Sequence, residues 1–418
     1  MRLRSLLFST LTALALISCG GGGGGNMAGG IGGTGVSSGP TTGFGSIIVN
    51  GVEYNTDSAL FKIEGTAAGI GITGQQQLDV GMMVSVTHDS SSNAKSVSFS
   101  DNAEGPMANI AVTDLVSGAG TFTVLGLTVT VNDLTVFSNN TSGLIGASAL
   151  ANADIVEVSG QLTGSNEILA TRVEKKTATC ATAGLRIEVK GTVSAVNATG
   201  LGSFDISSSG ATLHVNANGH LPLGLADNDY VEVTSTACPS GGTVVASAID
   251  SSVSEGPDLS DLDTPGEGEM EIKGIVSDKA TTAQGCSFTV NGQAVSATTG
   301  MCVTLSNGNL VEVHGQLDGN GVLVASAISN EDDSVAVGSE IKDAVFVDNR
   351  TGLFEGTITV GATTGITVNL STLFEGETQS TNLATFDTNP PGQLCAEVKI
   401  TSGSSPVAIS IHQEDCAP

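Results

Sequence analysis

The chain has 418 residues, 39% of them hydrophobic, with a mean hydropathy of +0.21 and 56 glycines; it is long enough for several folded domains and too apolar for wholesale disorder. Val, Ile, Leu and Ala interleave with Thr and Ser, Trp is absent, and Tyr54 and Tyr230 are the only tyrosines, a composition that favours strands over helices. A net charge of −28 repels phosphate backbones, and with so few aromatic stacking platforms it excludes nucleic acid as a partner.

At the N-terminus Arg2 and Arg4 precede an apolar run from Leu6 to Ile17, followed by Ser18, Cys19 and six glycines. A basic start, a short apolar stretch and a small residue form a secretory signal, and the run is too short to cross roughly 30 Å of hydrocarbon. The segment Leu16-Ile17-Ser18-Cys19 resembles the lipobox of bacterial lipoproteins, in which the cysteine thiol is acylated and the chain is cut before it. The resemblance implies a signal peptide over 1–18 and Cys19 as the palmitate-bearing N-terminus that anchors the chain to a membrane. Gly20, where an Asp would favour inner-membrane retention, implies outer-membrane sorting, with the periplasmic or cell-surface face left open. Loss of Arg2 and Arg4 takes the net charge from −28 to −30. Residues 19–42 are expected to form a Gly-rich tether averaging roughly 25 Å.

Beyond the tether the chain repeats itself. A closing signature reads ADIVEVSGQLTGSNEILATRVE at 153–174, NDYVEVTSTACPSGGTVVASAI at 228–249 and GNLVEVHGQLDGNGVLVASAI at 308–328, with weaker versions at 81–100 and 394–411. Alternation of period two on either side of a Gly/Ser/Asn/Asp turn predicts a half-buried hairpin. Opening strands recur as IEVKGTVSAV at 187–196, MEIKGIVSDK at 270–279 and SEIKDAVFVD at 339–348. No helical period follows the signal, so the fold class is all-β: about five tandem, small antiparallel barrels of OB-like type, closed so that many short strands leave few edges. The expected units are 43–101, 102–177, 178–252, 268–332 and 333–418, with an acidic linker over 253–267. The VEVxGxLxGxGxLxAxxI pattern resembles the bacterial family known as domain of unknown function 5666, whose members often occur in tandem behind a lipoprotein signal. That resemblance implies small β-barrels and carries no catalytic or binding residue.

Six cysteines remain after Cys19, two to a unit: Cys180 with Cys238, Cys286 with Cys302, and Cys395 with Cys416. In an exported chain that parity favours three disulfides over metal ligation, for which CxxC spacing and neighbouring histidines are missing. The search for chemistry finds little. Ser92-Asn93-Ala94-Lys95 and Ser100-Asp101-Asn102 match two elements of penicillin-recognising hydrolases, but they share one hairpin and a KTG strand is absent. His88, His214, His220, His314 and His412 are scattered, and His314 is expected to be solvated. Glu157, Glu232, Glu312 and Glu397 recur at the centre of the VEV strands, where alternation turns them outward onto a solvated face or towards a basic partner or divalent cation. In the linker Asp258, Asp261, Asp263, Glu267 and Glu269 offer hard oxygens without an EF-hand spacing. No cofactor and no metal centre is expected.

The function that follows is a non-enzymatic outer-membrane lipoprotein serving as a structural or interaction module of the envelope, its partners being the membrane through the lipid and an envelope protein or glycan. A glycan- or peptide-binding lipoprotein using barrel faces is the second reading, and an enzyme with a site shared between units the third.

Overall fold

The computed structural model describes residues 35–414 other than 45, 51, 116–117, 133, 139–140, 147, 178–179, 181–185, 258–268, 331–336, 353–354, 361–362, 369–372, 376–381, 388–393 and 402–407. The signal segment, Cys19, the first part of the tether, most of the acidic linker and Cys416 lie outside the described residues.

Unit 1 holds β1 (Gly35–Gly43), β2 (Ile47–Val49), β3 (Val52–Tyr54), β4 (Leu60–Ile63), β5 (Thr66–Ile70), β6 (Met83–His88) and β7 (Ala94–Phe99). Unit 2 holds β8 (Ala103–Val112), β9 (Gly120–Val124), β10 (Leu127–Val131), β11 (Val136–Ser138), β12 (Ile155–Gly164) and β13 (Glu167–Thr177). In unit 3 come β14 (Ile187–Asn197), β15 (Ser203–Ser207), β16 (Thr212–Asn216), β17 (Tyr230–Ser235), β18 (Thr243–Val245) and β19 (Ala248–Asp250). Unit 4 has β20 (Glu269–Thr282), β21 (Gly285–Val290), β22 (Gln293–Thr298), β23 (Leu310–Leu317) and β24 (Leu323–Asn330). Unit 5 has β25 (Val337–Arg350), β26 (Gly356–Val360), β27 (Thr363–Val368), β28 (Leu373–Glu375), β29 (Cys395–Thr401) and β30 (Ala408–Glu414). Helix among the described residues is confined to single turns such as Ile72–Gln75 and Thr299–Cys302.

Unit 4 shows the plan most plainly. β20 pairs with β21, β21 with β22, β22 in parallel with β24, β24 with β23, and β23 back to β20, closing a five-stranded barrel. That Greek-key order is of the OB type. Unit 2 repeats it through β8, β9, β10, β13 and β12. Unit 3 does the same, its last strand split into β18 and β19. In units 1 and 5 the order recurs with an interrupted third strand, β4 running parallel to β7 and β28 parallel to β30.

The glycine of the VEVxG signature has a mechanical role. At Gly160 and Gly315 the ladder to the following strand slips by a residue, a β-bulge that sharpens the coil of the barrel. A Cβ there would lie 2.5 Å from the Leu169 carbonyl oxygen and 2.2 Å from that of Val324, so the close approach requires glycine.

The barrels are not beads on a string. β8 and β14, the first strands of units 2 and 3, pair antiparallel, and the cores of the two units, with Phe122, Val158, Phe204 and Val233, form one continuous cluster. β1 of unit 1 pairs in parallel with β20 of unit 4. Units 1 and 2 are joined where Arg172 donates to the Val80 carbonyl (2.9 Å) and Asp79 (2.9 Å), and Thr171 donates to the Gly81 carbonyl (2.6 Å). In consequence some of the strands carrying the opening and VEV motifs are covered on both faces: β14 starts with five buried residues and β23 with four, whereas β17 keeps an alternating pattern. The second and third strands keep the half-buried alternation of a solvent-facing sheet, as in β16, where Leu213 and Val215 are buried and Thr212 and His214 exposed.

Two sequence expectations change here. Residues 35–42, assigned to the tether, are strand β1, buried between β6 and β20. Their small side chains serve close packing rather than flexibility: a Cβ on Gly35 would stand 1.8 Å from the Glu269 carbonyl oxygen. Glu269, assigned to the linker ligands, opens β20 in register with Gly35.

Cys180–Cys238 and Cys286–Cys302 are disulfides with Cα atoms 5.9 Å apart, each within its unit; Cys395 is disulfide-bonded, and its expected partner Cys416 lies outside the described residues. Non-reducing peptide mapping is expected to return the 180–238 and 286–302 peptides. Replacing the second pair, 16 residues apart, with Ser should lower the unfolding free energy of unit 4 by about 3 kcal/mol. A peptide joining Cys238 to Cys286 would contradict the assignment.

Candidate functional site

The structure concentrates charge where units 1, 2 and 3 meet. Lys190, on β14 and almost fully buried, directs its ammonium at Glu64 of unit 1 (3.0 Å), the Asp101 carbonyl oxygen (2.9 Å) and Glu188 of its own strand, with Asp101 Oδ1 at 3.7 Å and Glu232 at 3.9 Å. The local sequence explains the alignment. Glu188 and Lys190 are two apart and therefore share a face of β14, Glu232 on β17 stands in register with Lys190, and Glu104 on β8 stands in register with Glu188. Around this centre Arg186 pairs with Glu188 and Glu232, and Lys176 pairs with Glu157 (2.8 Å) and Glu174 (3.1 Å). Glu64 is further bound by the Asp101 N–H (2.7 Å) and the Ser100 hydroxyl (3.0 Å), while Asn102 accepts from the Gly160 N–H (2.8 Å).

Burial divides the carboxyls. It pushes the fully enclosed Asp101 well above the usual range despite the opposing Lys190, with Glu64, Glu188 and Glu157 adding to the rise. Burial likewise raises Glu104 and Glu157, and it takes Glu188 to about 7. For Glu64 burial is outweighed by Lys190 and by the Asp101 and Ser100 hydrogen bonds, so its carboxyl is held below the usual range. Lys190 stays charged, because Asp101, Glu64 and Glu188 more than offset its desolvation.

An equivalent junction joins units 1 and 4. Glu271 of β20, at the position corresponding to Glu188, is fully buried and accepts from Ser37 Oγ (3.3 Å), which also bonds the Tyr54 hydroxyl (2.5 Å). Beside it His314 binds Glu312 (2.7 Å).

The VEV glutamates are therefore not a solvated row. Glu157, Glu232 and Glu312 do leave the barrel interior, but they are paired beside the junctions with Lys176, Arg186 and His314 of their own units; Glu312 is 4% exposed. Glu397 lies on β29 in register with Lys342 and His412. His314, expected to be solvated, is largely buried, its side chain 14% exposed. Of the penicillin-hydrolase match, Ser92 stays in a hairpin turn, whereas Ser100, Asp101 and Asn102 lie in the junction as hydrogen-bonding links. Asp258, Asp261, Asp263 and Glu267 lie outside the described residues. Sequence reasoning missed Glu64 and Lys190 and took Asp101 for part of a hydrolase-like motif; the signal available for Lys190 was the Glu-x-Lys pair of the opening strand.

A second feature faces solvent. In unit 3 an open depression is lined by Leu201 and Gly202 of the first loop, Phe204 and Asp205 of β15, and His214 and Asn216 of β16. His214 Nδ1 and Asp205 Oδ1 are 2.6 Å apart on its floor, and Leu201 is 60% exposed at its edge. This is the strand-2 and strand-3 face that OB barrels present to ligands.

The fold and its junctions define a tandem array of OB-type barrels. Segments 111–174, 190–250 and 273–329 match the model of the family described as Domain of unknown function (DUF5666), three tandem matches that fall in units 2 to 4. No curated protein matches the sequence.

Lys190→Met should cost about 3–5 kcal/mol in urea unfolding, because it leaves Glu64 and Asp101 buried without a cation and Glu188 with Arg186 alone. The pH dependence carries a definite sign. With Glu188 near 7 when folded against an ordinary 4.5, the native state binds more protons than the unfolded chain between those values. Stability should thus be greatest below pH 4.5 as far as this group is concerned, and fall as pH rises to about 7. Urea midpoints at pH 5 and pH 8 should show that decline, and Glu188→Gln should reduce it, the remainder belonging to Asp101, Glu104 and Glu157, which are shifted in the same direction.

Proposed function

We propose that the protein is a lipid-anchored, non-enzymatic lipoprotein of the bacterial outer membrane that acts as a rigid structural and interaction module of the envelope. The observation that carries the reading is the division of the barrel surface. First and fourth strands, with their charged residues, are engaged against neighbouring units, while second and third strands are turned outward. Such an array presents several OB faces in fixed relative positions, which suits a partner that touches more than one barrel. The anchor rests on the lipobox-like Leu16-Ile17-Ser18-Cys19; no helix among the described residues is long and apolar enough to cross a membrane.

The depression on unit 3 favours a second reading, in which a glycan or peptide binds one barrel face. Its Asp205–His214 pair and exposed Leu201 supply a polar centre and an apolar edge.

Cys19→Ser should abolish palmitate labelling and move the protein to the carbonate-soluble fraction; retention in the membrane pellet would contradict the anchor. For the interaction role, a photo-crosslinker placed at His214 should trap an envelope component in intact cells, whereas one placed at Glu312 should give only intrachain products. Partner adducts from Glu312 and none from His214 would reverse the assignment of faces.

A further inference from the structure

The junction contains two carboxylate trios that share Asp101. In the first, Glu64, Asp101 and Glu188, the Lys190 ammonium supplies the cation. In the second, Asp101, Glu104 and Glu157 each offer an oxygen within 4.8 Å of the others. Lys176 touches this trio only at Glu157, on the side shared with Glu174. Glu104 has no ion pair among the described residues.

An independent observation points to a ligand. Asp101 is 4% exposed, and its Oδ1 makes no hydrogen bond; the nearest cation, Lys190 Nζ, is 3.7 Å away, beyond hydrogen-bond reach. An orphaned carboxylate oxygen is costly in such a setting, and Asp101 belongs to both carboxylate trios.

We propose that Asp101, Glu104 and Glu157 form a Ca²⁺ site at the meeting of units 1, 2 and 3. The donor set is oxygen alone, which selects hard cations and disfavours Zn²⁺ or Cu²⁺. Coordination habit then separates the hard cations. Mg²⁺ demands near-ideal octahedral geometry and keeps several of its waters, whereas Ca²⁺ accepts irregular sets of protein oxygens, so a largely enclosed trio of carboxylates suits the larger ion. Charge agrees: Arg172, Lys176, Arg186 and Lys190 face Glu64, Asp101, Glu104, Glu157, Glu174, Glu188 and Glu232, so carboxyls outnumber cations and a divalent ion removes part of the excess. Burial holds Asp101, Glu104 and Glu157 above the usual carboxyl range, a rise that a bound divalent cation would reverse. This site differs from the acidic linker, whose residues lie elsewhere in the chain.

The test is calorimetric titration of the full chain, stripped with EDTA, using CaCl₂ and, in parallel, MgCl₂. One Ca²⁺ equivalent should bind at least tenfold more tightly than Mg²⁺. Glu104→Gln and Glu157→Gln, each checked for unchanged circular dichroism, should lose that equivalent; Asp261→Asn with Asp263→Asn should keep it. In the unsubstituted chain CaCl₂ should also slow amide exchange across β8 and β12, a readout independent of any variant's folding. The proposal is overturned if CaCl₂ produces neither heat nor altered exchange, if the stoichiometry is the same in Glu104→Gln, or if the linker variant loses the ion instead.

Discussion

One buried ammonium ties unit 3 to unit 1 at the point where the chain enters unit 2. Lys190 belongs to unit 3, its partner Glu64 to unit 1, and Asp101 to the link that leads into unit 2. Removing such charges from water costs several kcal/mol per ion, so the network is not simply a source of stability. Its effect is discrimination. A docking that covered this face without bringing up Glu64 and Asp101 would leave Lys190 desolvated with only Glu188 and Glu232 of its own unit. The paired first strands and the shared core of units 2 and 3 then bury apolar surface around that fixed point.

The same constraint accounts for the division of labour within each barrel. A unit of this size buries only about 60% of its unfolded surface by itself and gains by covering one outer face with a neighbour. The faces covered are those of the opening and VEV strands, where Glu and Lys at alternate positions can be matched across the junction, as at Glu188 and Glu271. Strands two and three remain outward, and in unit 3 they line the depression around Asp205 and His214. Architecture thus determines which surfaces are free to meet a partner.

Much of the fold was legible in the sequence because strand period, turn residues and repetition are local signals. The VEV alternation marks the inward Val231 and Val233 correctly, the signature glycines mark bulges, and cysteine parity anticipates the two bridges seen. What escaped is tertiary. Alternation says that Glu312 leaves the barrel interior, but it cannot say whether water or another unit lies beyond it. For β1 composition pointed the wrong way: Gly35, Ser37 and Ser38 are small because two strands close on them, a cause that has no trace in a single sequence. Asp101 looked like part of a short motif, and only the fold reveals it as a buried carboxyl between three units.

The central claim is that units 1 to 3 form one cooperative body organised around Lys190. Native-state hydrogen exchange across a urea series measures this directly. The account predicts that the slowest amides of β6, β12 and β14 converge on a single opening free energy. Three separate values, one for each unit, would contradict it.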